Sequence, residues 1–260
     1  MRPTYVLGFD AGARGHFIVG MILRLHRQDD SEPIYSDLGN AHDYSGKYLW
    51  KQTTFYHIQS EHPIEQWANK VEFVGDGDDP FIILHPLWQH AGLDYKQRLA
   101  EFPNLKYIHI NVNESDIDEI VAQEFYKSTL LLPDHPYSKE QLIEYLDLAK
   151  NRTDCRTDGI NTIADLNDHE CRVYVEYRIS HRKPTYKKHV DERFANIPNE
   201  IPCYNIQYTD IVDNKDKVLT TLEEATGCLR TKGIEDVYDK YVEKQHELRT
   251  SRMGWVFPKY

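Results

Sequence analysis

The sequence predicts an α/β protein of three layers, α/β/α, built on a mainly parallel central sheet. Two observations carry this expectation. The chain opens with a short apolar run, Thr4 to Phe9 (TYVLGF), a turn, Asp10 to Gly15 (DAGARG), and apolar residues at helical spacing from His16 to His26 (HFIVGMILRLH). Further on, short β-type runs alternate with helical patterns, the order that yields parallel strands joined by covering helices.

Each element has its own local reason. Thr4 to Phe9 is apolar without alternation, as a strand buried on both faces should be. Residues 28–47 are polar and rich in turn formers, a surface excursion. The turn Gly75 to Pro80 launches a second strand, Phe81 to Leu84 (FIIL), which ends at His85-Pro86, and 87–102 reads as helix. Lys106 to Val112 (KYIHINV) is a third strand. Ser115 is placed to cap the next helix, with Asp116, Asp118 and Glu119 near its positive end. A further helix spans about Ser138 to Ala149, and Arg172 to Ile179 starts either a strand or a helix. Ile201 to Tyr208 (IPCYNIQY) is the late strand. Asn214 to Ala225 is a helix stopped by Gly227, and Ile234 to Arg249 is the final helix. The reading is one domain over 1–260, with the weakly periodic stretch at 150–200 as a candidate lid or subdomain.

Composition narrows the function. The formal net charge is −11, which disfavours nucleic acid as a partner. Phe17 to Leu23 is interrupted by Gly20 and far short of the ~20 apolar residues that span a bilayer, so no membrane partner is expected. Cys155, Cys171, Cys203 and Cys228 form no Cys-x-x-Cys pair, so no metal site is expected, and four free thiols suit a reducing, cytoplasmic setting.

The opening loop is the first candidate site. A turn between strand and helix aims backbone N–H groups at one point, where the helix dipole adds positive potential. Gly12 and Gly15 would leave room for an anion, Ala13 and His16 would lend amides, and Arg14 could grip phosphate or sulfate in a bidentate manner. On this reading, Gly15→Val fills the cradle and leaves the fold intact. His16 and Phe17 stand where an ATP-binding loop carries lysine and a metal-holding hydroxyl, so phosphoryl transfer is disfavoured. The alternative is a glycine turn with no ligand.

His85 is the second candidate. It closes FIIL at the edge where parallel sheets bind ligands, and an imidazole there could accept a proton at neutral pH. The alternative is a histidine that settles the turn before Pro86. His109 lies inside its strand and should be packed. A basic stretch, Arg178 to Arg193, could receive an anionic cofactor or acceptor, or could be a solvated face.

The order of parts (AGARGHF, then FIILHP, then KYIHINVNESDIDEIVAQEFYKS, then YNIQYTDIVDNKDKVLTTLEEATG) resembles the sulfotransferase family, a branch of the P-loop nucleotide-binding fold. The likeness is greatest to short, divergent members from marine bacteria and their viruses. It implies a P-loop-like sheet, the donor PAPS with PAP as its product, and a small-molecule or glycan acceptor. It sets Gly15 on the family's loop glycine, Arg14 on its serine and Ala13 on its lysine, and makes His85 the base. Asn111 to Asp116 stands where the family has an arginine for the 3′-phosphate, and here carries acidic groups instead. Two functions stay open: sulfuryl transfer from PAPS to a hydroxyl or amine, with His85 and Arg14 catalytic, or a degenerate fold that binds without catalysis.

Overall fold

Thr4–Gly8 is buried at every position, and the reason lies on both sides of it. This strand, β1, pairs in parallel with β2 (Phe81–Leu84) and with β3 (Leu105–Asn111). The edge strand β4 (Cys203–Gln207) pairs in parallel with β3, which gives the order β2-β1-β3-β4. The chain is therefore α/β with a parallel sheet, as expected, and the four strands fall within about two residues of the predicted runs. In this computed structural model the described residues are 3–9, 13–31, 80–84, 104–120 and 200–250, with scattered positions between 156 and 180. Gly12, His85, the helices expected at 87–102 and 138–149, and the basic stretch apart from Ser180 lie outside them.

Register decides which side chains share a face. Tyr5 lies beside Lys106 and Leu7 beside Ile108, which in turn pairs with Tyr204. Helix α1 (Gly15–Arg27) covers this face, and the Tyr5 hydroxyl meets His26 Nε2 at 2.8 Å. Lys106 Nζ donates to the Ala225 carbonyl of a second helix on the same face, at 2.6 Å.

After β4 the chain makes a single turn, α2 (Asp210–Asp213), then α3 (Lys215–Thr226) and α4 (Lys232–Thr250). Asn214 starts α3 by accepting from the Lys217 N–H. Gly227 ends it at φ 74°, a left-handed conformation that suits glycine. Val218, Leu219, Leu222 and Ala225 form the buried stripe of α3, at the spacing of one helical face.

Helix α1 is buried almost all round, from Phe17 to Leu25. Phe17 stacks on Tyr241 of α4, with centroids 3.7 Å apart and planes at 10°, and meets the edge of Tyr238 at 4.9 Å. The Tyr238 hydroxyl is satisfied by the Ile211 carbonyl at 2.8 Å. At the exit of α1, the fully buried Arg24 donates from Nη1 to the carbonyls of Asp29 and Ser31 and folds the chain back.

The chain divides into two compact units, Met1–Val112 with His189–Glu247, and Asn113–Lys188 with Leu248–Tyr260. In the second unit, the cap differs from expectation. Ser115 does not cap; its hydroxyl donates to Asp116, whose Oδ2 accepts from the Asn113 N–H at 2.8 Å. The turn opens at Asn113, two residues before Ser115, with the Asn113 carbonyl accepting from the Asp116 N–H at 3.0 Å, so the carboxylate three positions on reaches back to its N–H instead. Glu170 makes the same kind of reciprocal cap with Asn167 and also takes a bidentate grip from Arg156, both contacts at 2.7 Å. That grip holds its carboxyl well down, at about 2. The described positions from 169 to 180 are helical, which decides between the two readings of that stretch.

Because Phe17 ties α1 to α4 from a fully buried site, Phe17→Ala should lower unfolding free energy by about 3–5 kcal/mol. Chemical denaturation followed by circular dichroism would check this.

Candidate functional site

Helix α1 starts where β1 ends, at the C-terminal edge of the parallel sheet. That edge is where open α/β sheets take ligands, most often where the strand order reverses. Here the reversal is at β1: the next strand in sequence, β2, lies on one side of it, and β3 lies on the other.

Arg14 is the N-cap of α1, in the left-handed conformation (φ 61°, ψ 20°), unusual for a residue with a Cβ. Its carbonyl accepts from Phe17 N–H at 3.0 Å and from Ile18 N–H at 3.3 Å. The N–H groups of Gly15 and His16 come before that first intrahelical bond. The first turn of α1 holds no acidic residue, and the Arg14 side chain does not cap it. This donor set suits an anion, because the positive end of the helix has no carboxylate of its own in that turn.

The Arg14 side chain lies elsewhere than a phosphate grip would place it. It is only 4% exposed. Its Nη1 donates to the Tyr208 carbonyl at 3.3 Å, and the guanidinium lies over the Tyr208 ring, 4.2 Å from the centroid. Its charge also reaches the buried Tyr238, whose hydroxyl burial holds far above its ordinary range. Tyr208 is a site residue that sequence reading missed. Its N–H donates to the Asn111 carbonyl at 2.9 Å, which brings the ends of β3 and β4 to the same place.

Gly15 has a different task from the one expected. A Cβ built there would strike the ring of Phe9, which is itself buried. The glycine admits an aromatic ring, so Gly15→Val would push Phe9 out of the core and could not leave the fold intact. Phe9 also meets the His16 ring edge-on at 5.9 Å. Ala13 and Gly15 are buried, and His16 is the half-buried member of the group.

His109 is packed, as expected, at 7% exposure on the other face of the sheet, paired with Gly8 and Asn205. Burial pushes its pKa down from 6.5 to about 4, against an opposing hydrogen bond with Asn205. Among the described residues, no group of three His, Cys, Asp or Glu side chains could hold a metal, and no helix is long and apolar enough to cross a membrane. No protein-family model, curated protein or solved structure matches this chain.

Two outcomes follow from this geometry. Gly15→Ala should destabilise by about 1–3 kcal/mol through overpacking against Phe9, read as a fall in the denaturant midpoint. His109 stays neutral in the folded chain while the unfolded chain protonates near 6.5, so its share of stability should be lost as pH falls from 6.5 to about 4. His109→Gln should flatten the stability profile in that window.

Proposed function

We propose that the start of α1 binds the phosphate or sulfate of a nucleotide, and that the chain transfers a sulfuryl group from it to a hydroxyl or amine. One observation carries the anion site: a buried helix opens at the C-terminal edge of a parallel sheet with no acidic residue in its own first turn. Such an end carries roughly half a positive charge, directed by the fold.

The sulfotransferase resemblance implies PAPS, which when bound supplies the sulfuryl group and leaves as PAP. The amides of Gly15 and His16, with Gly12 and Ala13 beside them, would hold its phosphosulfate end. Arg14 would act from behind, keeping the loop on Tyr208 and adding positive potential without touching the donor. His85 would take the acceptor's proton. Support for that role is positional: β2 ends at Leu84, one residue before His85, and Leu84 lies beside Leu7 of β1.

A second reading, a non-catalytic binding module, is favoured by one observation. The Arg14 side chain is turned onto Tyr208, and Ala13 stands where the family has its lysine.

Calorimetric titration with PAPS, PAP and ATP separates the readings. Transfer requires that PAPS and PAP bind and ATP does not, and that His85→Ala keeps PAP binding while lowering turnover about 10²–10⁴-fold. PAP binding without transfer to any hydroxyl or amine would leave the binding module. Silence from all three nucleotides would remove the transfer reading and favour a binding module for another partner.

A further inference from the structure

The far end of α1 carries a second cluster of chemistry, built from three elements. His26, in the last turn of α1, has Nε2 2.8 Å from the Tyr5 hydroxyl of β1. Its Nδ1 lies 3.6 Å from Sγ of Cys228, the residue after the Gly227 turn that ends α3. The imidazole thus has one nitrogen on a phenol and the other on a thiol. Cys228 and His26 are both half-buried, and the neighbouring Leu229 is 76% exposed, so the thiol lies beside an accessible turn.

We infer that Cys228 is a nucleophilic thiol, activated by His26, that exchanges with small disulfides. With the imidazole proton on Nε2, the Tyr5 oxygen accepts it and the Nδ1 lone pair faces the thiol. Tyr5 is fully buried, and burial together with Cys228 and Tyr204 pushes its hydroxyl well above the usual range. The phenol therefore keeps its own proton and steers the ring. The last turn of α1 puts partial negative charge beside His26 and favours the imidazolium. The end of α3 and the Thr226 carbonyl, 3.9 Å from Sγ, oppose a thiolate. That helix-end effect is smaller than the attraction of an imidazolium in direct contact.

The step balances without an outside oxidant other than the disulfide. The Cys228 proton moves to His26 Nδ1. Sγ attacks one sulfur of the disulfide, a new S–S bond forms, and the old one breaks. The leaving thiolate then takes the proton from Nδ1.

Among the described residues, His26 faces the thiol directly, Tyr5 is coupled to both Cys228 and Tyr204, Lys106 is bonded to the Ala225 carbonyl near the end of α3, and Glu223 is paired with Arg230. Cys203 supplies an internal comparator, since it is exposed while desolvation on the sheet raises its thiol pKa.

The test is reaction of the whole chain with glutathione disulfide, mapped by peptide mass spectrometry. At about pH 7, Cys228 should be modified about tenfold faster than Cys203, because an imidazole nitrogen in contact takes its proton. His26→Asn should bring Cys228 down to the rate of Cys203, and Tyr5→Phe should slow it less. A Cys228 rate no greater than that of Cys203 overturns the proposal. So does a rate indifferent to His26→Asn.

Discussion

The Arg14 guanidinium lies over the ring of Tyr208 and donates to the carbonyl of the same residue, across 194 positions of chain. An arginine this deeply buried must regain the interactions it leaves in water, and here one residue supplies both a π face and an acceptor. A desolvated cation–π contact contributes about 2 kcal/mol. The left-handed backbone of Arg14 costs about 1–2 kcal/mol. The two nearly cancel, so the contact fixes geometry more than it adds stability. What it fixes is the point at which the loop after β1 becomes α1, and Tyr208 in turn is bonded to the end of β3 through Asn111.

The aromatic packing behind that point continues the same tie. Phe17 lies one helical turn beyond Arg14 and is clasped by Tyr238 and Tyr241, while Tyr238 is bonded to Ile211 in α2. The start of α1 is thus positioned by residues near the other end of the sequence. Any anion recognised at Gly15 and His16 would depend on the packing of α2 and α4 as much as on the loop. Gly15 itself has no room for a side chain, because the ring of Phe9 occupies that space.

One helix also presents two unlike chemical environments. Its first turn has no acidic residue and concentrates positive potential at the C-terminal edge of the sheet. Its last turn holds Arg24, His26 and Arg27 against partial negative charge, and His26 there meets both a phenol and a thiol. The direction of the helix dipole thus separates an end suited to anions from an end suited to a protonated imidazole.

The elements that were legible in the sequence were those with local causes. An unbroken apolar run marked β1, helical spacing marked α1, and Asn214 with Gly227 marked the two ends of α3. Parallel pairing also followed from alternation, because strands joined through helices return in the same direction. The tertiary structure alone decided what Arg14, Gly15 and Cys228 do. The partner of Arg14 is 194 residues away and that of Cys228 is 202 residues away, so no spacing or period connects them. A glycine in a strand–helix turn looks the same in sequence whether it makes room for a ligand or for a neighbour's ring. Only the register of β1 against α1, set by burial on both faces of the sheet, put the Phe9 ring over Gly15 and turned the Arg14 side chain inward.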